Sequence, residues 1–385
     1  MKIAIVHDYL NQLGGAERVV GVLHEMFPQA PIYTLFYDRE KLWPSLQGAT
    51  LIPSFLQRHA FIVKHFKLFF WLYPLAIRTI RLADFDVVLT SSSAYAKGVH
   101  IGGGDQRRPI HICYCHTPMR FAWDYDRYIA NETKNQILVS LARLLVPVLK
   151  LWDTWSARKV DYFIANSTAV QGRISRYYRR ECIVVHPPVE ERQTTVSNAV
   201  TNDYFLVVSR LVSYKRIDLA VEACTRLGKP LIVIGQGPDR QRLESLAGST
   251  VTFLGWRSDE EVEQYVAACR SFIFPGEEDF GIAPVEANML GKPVVAYRRG
   301  GALDTVCDGV NGVFFAEQTT ESLVHALERS ETIDWEPERI RHAAEKFSRR
   351  AFEDKIRRAL QEAASTRIQM VTTEVNVVNG EGISQ

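Results

Sequence analysis

The sequence predicts an α/β protein made of two successive, doubly wound parallel sheets. The chain is 385 residues long, and a single hydrophobic core stops growing at about 250–300 residues, so two domains are expected. Short apolar runs ("KIAIVHD", "PIYTLF", "FDVVLTSS", "PIHICYCHT", "DYFIANS", "CIVVHPPV") alternate with helical patterns through the first half. The alternation then restarts with "YFLVVSR", "PLIVIGQG", "VTFLGW", "SFIFPG", "KPVVAY" and "NGVFFA". Buried strands separated by helices are the pattern of a parallel sheet covered on both faces.

Composition fits a folded protein, since 46% of residues are hydrophobic and 23% charged, which excludes a disordered or fibrous chain. A formal charge of +2, with no zinc-finger spacing or aromatic RNA-binding motif, argues against nucleic-acid binding. Six cysteines are too few for a disulfide framework, and Cys113 and Cys115 alternate in an apolar run, so both are expected on one face of a strand in a reducing compartment.

Taken in chain order, residues 1–10 ("MKIAIVHDYL") end in His-Asp rather than a small-residue cleavage site, and are read as a first buried strand, not a leader. Gly14 and Gly15 follow it. Residues 55–82 mix Arg58, Lys64, Lys67, Arg78 and Arg81 with dense aromatic and aliphatic residues. That is a basic amphipathic segment suited to an anionic membrane surface, or else a set of helices burying its aromatics against the first sheet. Its longest uncharged apolar stretch, residues 68–77, is about half a membrane span. Residues 186–204 are polar after Pro187-Pro188 and lack an apolar period, so residues 1–188 form one domain and 189–203 a linker. The second sheet occupies 204–335, helices 336–365 follow, and a polar tail, 366–385, is expected to fray.

Ligands of open α/β sheets bind beyond the carboxyl ends of the strands. Those positions read His7-Asp8, Ser91 to Ser93, His116-Thr117-Pro118, Asn166-Ser167, Ser209-Arg210, Gly235-Gln236-Gly237, Gly255-Trp256 and Pro275 to Gly281. They are small, polar or basic, as a phosphate-containing ligand requires. Arg210 leaves a strand and Lys215 opens a helix, so the two cations and a helix start can hold a diphosphate without a metal.

The stretch "GEEDFGIAPVEANMLGKPVVA" places Glu278 and Glu286 eight positions apart. On one helix they would be about 12 Å apart along the axis and turned by roughly 80°. Gly281 breaks that picture by permitting a sharp turn, which leaves Glu278 on a loop and Glu286 inside a helix whose first N–H groups face an anion between them. Asp84-Phe-Asp86 and Asp124-Tyr-Asp126 mimic a metal-binding pair, but Asp84 and Asp86 precede a strand and so sit at the wrong end of a sheet.

Together, E-D-F-G-I-A-P-V-E with Arg210 and Lys215 upstream resembles the retaining family-4 glycosyltransferases of GT-B fold, in which two Rossmann-like domains face across a cleft. The likeness runs from "GGAER" to the last helix and is strongest to bacterial mannosyltransferases of O-antigen and exopolysaccharide assembly. It implies that Glu278 contacts donor-sugar hydroxyls, Glu286 the ribose, and Arg210 and Lys215 the diphosphate. Phe280, Gly281 and Ile282 would present backbone to sugar and phosphate, Gly14, Gly15 and Gly235 belong to the donor site, and His116 lies near the reacting face. The first domain would bind the acceptor, with Asp124 and Arg120 facing it, and the C-terminal helices would pack back toward that domain. No metal or other cofactor is implied. The partners are a nucleotide sugar, GDP-mannose in the first instance and UDP-sugars next, and a saccharide acceptor carried on a lipid. Attack is expected from the front face, the leaving phosphate taking the acceptor's proton. The location implied is cytoplasmic, with peripheral contact at the inner membrane face. A nucleotide-sugar 2-epimerase, or a non-catalytic binding protein of the same fold, are the rival readings.

Overall fold

The computed structural model describes residues 1–102, 108–125, 136–190 and 203–380, with side chains over the same residues except 136–142 and 366–380. The chain divides into two compact units, one of residues 1–166, 170–185 and 352–385, the other of 167–169 and 186–351.

The first unit is built on seven parallel strands: β1 Ile3–His7, β2 Ile32–Thr34, β3 Leu51–Pro53, β4 Val87–Ser92, β5 Ile110–Cys115, β6 Tyr162–Ala165 and β7 Cys182–Val184, in the order β3-β2-β1-β4-β5-β6-β7. The central strands β1, β4 and β5 are buried along their whole length, because helices cover both faces and every side chain meets a core. One core joins Ile3, Ile5, Leu89 and Ile112 to Phe352, Ile356 and Leu360 of the C-terminal helix. Cys113 and Cys115 share another apolar cluster, as their alternation predicts, and all six cysteines are free.

The second unit has six parallel strands: β8 Phe205–Val208, β9 Leu231–Ile234, β10 Val251–Gly255, β11 Ser271–Phe274, β12 Val294–Tyr297 and β13 Gly312–Phe315, in the order β10-β9-β8-β11-β12-β13. In both units the strand order reverses beside the first strand, at β1/β4 and at β8/β11. Those switch points open the crevices where ligands of such sheets bind.

Three boundaries differ from the sequence reading. Residue 189 does not open a linker: Val189 is buried beside Phe280 and Phe347, and its N–H donates to the Phe347 carbonyl at 3.0 Å. An apolar side chain directly after Pro-Pro had a core to join; residues 191–202 lie outside the described residues. Second, the C-terminal helices split, since Pro337–Ala344 stays with the second unit and the chain joins the first from Phe352. Third, the last helix spans Arg349–Gly380, continuing through most of the stretch read as a fraying tail. Once nucleated, a helix gains one hydrogen bond per residue, and no proline interrupts it; residues 381–385 lie outside the described residues.

Candidate functional site

In the second unit the site forms where β8 and β11 end. Past β8, the N–H of Ser209 donates to the Ile234 carbonyl at 3.0 Å and that of Leu211 to Gln236 at 2.9 Å, so residues 209–211 run beside 234–236. Gly235 makes this possible: at φ +136° it occupies a backbone region closed to other residues, and a Cβ there would lie 1.9 Å from the Ser209 carbonyl oxygen. Arg210 projects from this segment, exposed, with Nη2 donating to the Tyr214 hydroxyl at 3.3 Å. A 3-10 turn, Ser213–Lys215, then leads through Arg216, left-handed at φ +53°, into the helix Ile217–Leu227.

The loop after β11 carries Glu278, and its side chain accepts a hydrogen bond from Lys215 Nζ in a half-buried ion pair. The sequence reading assigned these two residues to different parts of a ligand, whereas the fold brings them into direct contact. Two features hold the loop. The Glu278 carbonyl accepts from Gly301 N–H at 2.8 Å, and the Phe280 ring is buried, stacked on His186 at 5.5 Å and edge-on to Phe347 at 5.6 Å. The ring is thus turned inward, and the Phe280 backbone packs against Gly301, where a Cβ would lie 2.4 Å from the Phe280 carbonyl oxygen. Gly281, at φ +87°, starts the helix Ile282–Met289 with no side-chain cap, so its first-turn N–H groups remain available to an anion. Glu286 stands half-buried on the same helix.

Beneath this loop lies a pair that sequence reasoning missed. His186 Nε2 is 3.3 Å from Asp304, which also accepts from Thr168 N–H at 2.7 Å and from its hydroxyl. Burial would raise the Asp304 carboxyl, but the hydrogen bonds from His186 and Thr168 outweigh it and hold it below the usual range. The only advance signal was the position of His186 just after β7, because its partner is 118 residues away.

In the first unit, the ends of β1, β4 and β5 carry a second polar set. Asp8 accepts four backbone N–H groups, from Ser93, Ala94, Tyr95 and Ala96, at 2.6–2.9 Å, and so ties the turn after β4 rather than facing ligand. Gly14 caps the helix Gly15–Met26 without a side chain. A Cβ on Gly14 would lie 2.5 Å from Glu17 Oε2, so this glycine makes room for a buried carboxylate within its own helix. Glu17 lies 3.8 Å from His7, which reaches Ser91, which in turn reaches His116 at 2.7 Å. His116 is thereby placed at the end of β5, nearly buried.

Arg120 begins and Asp124 caps the short helix Arg120–Trp123. Asp124 is exposed and lines a cavity of about 310 Å³ with Trp123, Tyr125, Arg143 and Lys150. A larger cavity of about 590 Å³, bordered by Tyr162, Arg179 and Cys182, lies at the amino ends of β6 and β7, away from these residues. Asp86 accepts the Lys2 N–H at 2.6 Å, a capping role at the amino end of β4; Asp126 lies outside the described residues. Among the described residues no group of His, Cys, Asp and Glu is placed to hold a metal ion.

Comparison with known proteins fixes the family. Residues 13–193 match the family model described as Glycosyltransferase Family 4 and residues 189–347 that described as Glycosyl transferases group 1. The chain is a family-4 glycosyltransferase of GT-B fold. This glycosyltransferase is 26% identical over 228 residues to O-antigen chain mannosyltransferase C of Escherichia coli, covering 54% of this chain and 60% of that one. It is 23% identical to alpha-1,3/1,6-mannosyltransferase ALG2 of Candida glabrata, over 98% of this chain and 97% of that one. For the first curated relatives it matches, the chain spans about half their length, 47% and 46%. Among solved structures, Anabaena HepE in complex with UDP aligns at a TM-score of 0.70 and 18% identity, over 94% of this chain and 100% of that one; this likeness speaks for the fold.

Proposed function

We propose that this glycosyltransferase moves mannose from GDP-mannose, with retention of configuration and without a metal, to a hydroxyl of a lipid-linked saccharide in bacterial surface-polysaccharide synthesis. The observation that carries the donor part is the convergence of Arg210, the Lys215–Glu278 pair, the uncapped helix start at Gly281 and Glu286 at the carboxyl ends of β8 and β11. Two cations and a helix start match a diphosphate, and carboxylates match hydroxyls of ribose and hexose. The sugar leaves as the diphosphate gains charge, which Arg210, Lys215 and the helix dipole stabilise, and the departing phosphate oxygen takes the acceptor's proton. The mannosyltransferase names of the relatives support mannose, and the acceptor is assigned to the first unit, with Arg120 and Asp124 at its binding surface and His116 near the reacting carbon.

A thermal-shift screen tests the donor. GDP-mannose at one hundred times its dissociation constant is expected to stabilise the protein by about 2.7 kcal/mol, and in EDTA an α-linked product is expected. Stabilisation by UDP-sugars alone would move the donor to uridine, as HepE's complexes with UDP and UDP-glucose suggest for a second reading. No stabilisation by any nucleotide sugar would end the proposal.

The enzyme is further proposed to work in the cytoplasm, against the inner membrane face. No helix among the described residues is long and apolar enough to cross a membrane. Residues 55–82 divide: Tyr73, Ala76 and Ile77 are buried, while Phe61, Leu68, Trp71 and Leu75 are more than half exposed among Lys64, Lys67 and Arg78. An apolar set ringed by cations suits an anionic lipid surface. Flotation with phosphatidylglycerol vesicles is expected to carry the protein upward and to fail for K64E/K67E/R78E; equal flotation of both rejects the surface.

A further inference from the structure

We propose that Ser91 and His7 are positioning residues that fix the tautomer of His116, with Nε2 accepting from the Ser91 hydroxyl and the ring proton on Nδ1. Ser91, at the end of β4, is fully buried, and its Oγ has two side-chain neighbours, His7 Nδ1 at 3.1 Å and His116 Nε2 at 2.7 Å. It has one proton to give.

His7 decides which way that proton points. Its Nδ1 also lies 3.0 Å from the Ser91 carbonyl oxygen, and a carbonyl can only accept, so Nδ1 carries hydrogen. That N–H is shared between the carbonyl and Oγ, which leaves the hydroxyl proton for His116. On the far side, His7 Nε2 faces the Glu17 carboxylate at 3.8 Å. Glu17 comes from the helix Gly15–Met26 and is 2% exposed; Gln12 donates to its Oε1 at 3.0 Å, and its Oε2 has no hydrogen-bond partner among the described residues.

Burial would lower His7, but the charges of Glu17 and Asp8 and the Ser91 carbonyl outweigh it and hold it above its ordinary value. Burial would likewise raise Glu17, and His7 and Gln12 more than offset this. Both shifts follow from His7 and Glu17 facing each other in a buried site. From His7 Nδ1 through the Ser91 hydroxyl to His116 Nε2, the hydrogens therefore run in one direction. The opposite tautomer of His116 would point two N–H groups at Ser91 Oγ and leave the hydroxyl proton with neither imidazole to accept it, in a site closed to water, where an unmet hydrogen bond costs about 1–3 kcal/mol.

The chemical consequence is that Nε2 of His116 is engaged by the Ser91 hydroxyl and cannot act as a base, and that the ring's hydrogen lies on Nδ1. This consequence for turnover rests on the transferase reading above, whereas the tautomer does not.

The test is long-range proton–nitrogen NMR of the full chain labelled with 15N-histidine, without ligand, His116 being assigned by its absence in H116Q. The expected spectrum has Nδ1 of His116 protonated and Nε2 bare, and Nδ1 of His7 protonated. S91A is expected to release His116 into a mixture of tautomers, and kcat to fall by about tenfold, with the donor KM within about twofold. S91T, which keeps the hydroxyl, should keep the wild-type pattern. A wild-type His116 protonated on Nε2, or an S91A spectrum unchanged at His116, overturns the proposal. The expected tautomer in a protein that turns over no nucleotide sugar would uphold it and refute the transferase reading instead.

Discussion

Replacing Lys215 with alanine is expected to lower turnover of the nucleotide sugar by about 10²- to 10³-fold, the loss typical when one donor that stabilises developing charge is removed. The fold should survive, because Lys215 sits in a 3-10 turn with its head half-buried and contributes to no hydrophobic cluster. The effect should exceed that of Arg210→Ala. Arg210 is exposed, its guanidinium reaching only the Tyr214 hydroxyl at 3.3 Å among the described residues, and must be ordered by the ligand, whereas Lys215 is already held against Glu278 and against the backbone of Gly276, where a Cβ would lie 3.0 Å from the Lys215 Cα. Preorganisation decides the difference, since a group in place beforehand pays no ordering cost at the transition state. Removing Lys215 also leaves the Glu278 carboxylate without its ion-pair partner, beside the diphosphate of the proposed donor. K215A and E278A touch the same contact, so their effects should not multiply in K215A/E278A. Steady-state kinetics with a melting control checks this. K215A turning over at the wild-type rate with an unchanged KM would remove Lys215 from the donor site.

The proposed donor site could be laid out from the sequence because parallel sheets put their strand ends at a predictable place. Arg210, Gly235 and the 276–281 loop were each found by reading on from the end of an apolar run. What could not be read was contact. Lys215 and Glu278 are 63 residues apart, and nothing in either segment says that they meet. Glu17 was hidden for a different reason: in "GGAERVV" it reads as an ordinary solvated acid of a helix's first turn, and only the fold shows it buried against His7. Gly14 is assigned to the donor site by the resemblance, while the occupant of the space beside its Cα is the Glu17 side chain.

The fold was legible to a similar depth. Strands buried on both faces are continuous apolar runs, and twelve of the thirteen strands among the described residues coincide with quoted runs. β3, Leu51–Pro53, escaped because it has three residues, pairs along one side only with β2 and ends in proline. The return of the chain to the first unit at Phe352 was not placed correctly either. Helix propensity runs on through that region, so the change of unit is set by where Phe352, Ile356 and Leu360 find apolar partners, a tertiary property.

Lys97→Met is expected to be the most destabilising single change in the first unit. Lys97 is 1% and Asp153 0% exposed, and Nζ lies 2.5 Å from Asp153 Oδ1. The other carboxylate oxygen accepts from Trp123 Nε1 and from the Tyr178 hydroxyl, both at 2.7 Å. One buried charge pair therefore ties the turn after β4 to the helices Gln136–Ala157 and Thr168–Tyr178 and to the short helix before Asp124. Burial would lower the Lys97 ammonium, yet the Asp153 carboxylate outweighs it and holds it above its ordinary value, so Lys97 keeps its charge throughout the neutral range. Methionine matches the lysine stem in volume, which removes cavity formation from the account and isolates the charge. Breaking such a pair from one side costs about 3–5 kcal/mol, because the remaining charge is left in a medium that solvates it poorly; for a unit of this size that is roughly 10 °C in melting temperature. K97M/D153N removes both charges and keeps an acceptor for Trp123 or Tyr178. It should therefore be more stable than K97M alone, an inversion that loss of packing could not produce. Thermal melts of the two variants decide the matter: K97M within about 2 °C of wild type, or a double variant that melts below the single one, would show that the Asp153 charge is solvated by something other than Lys97.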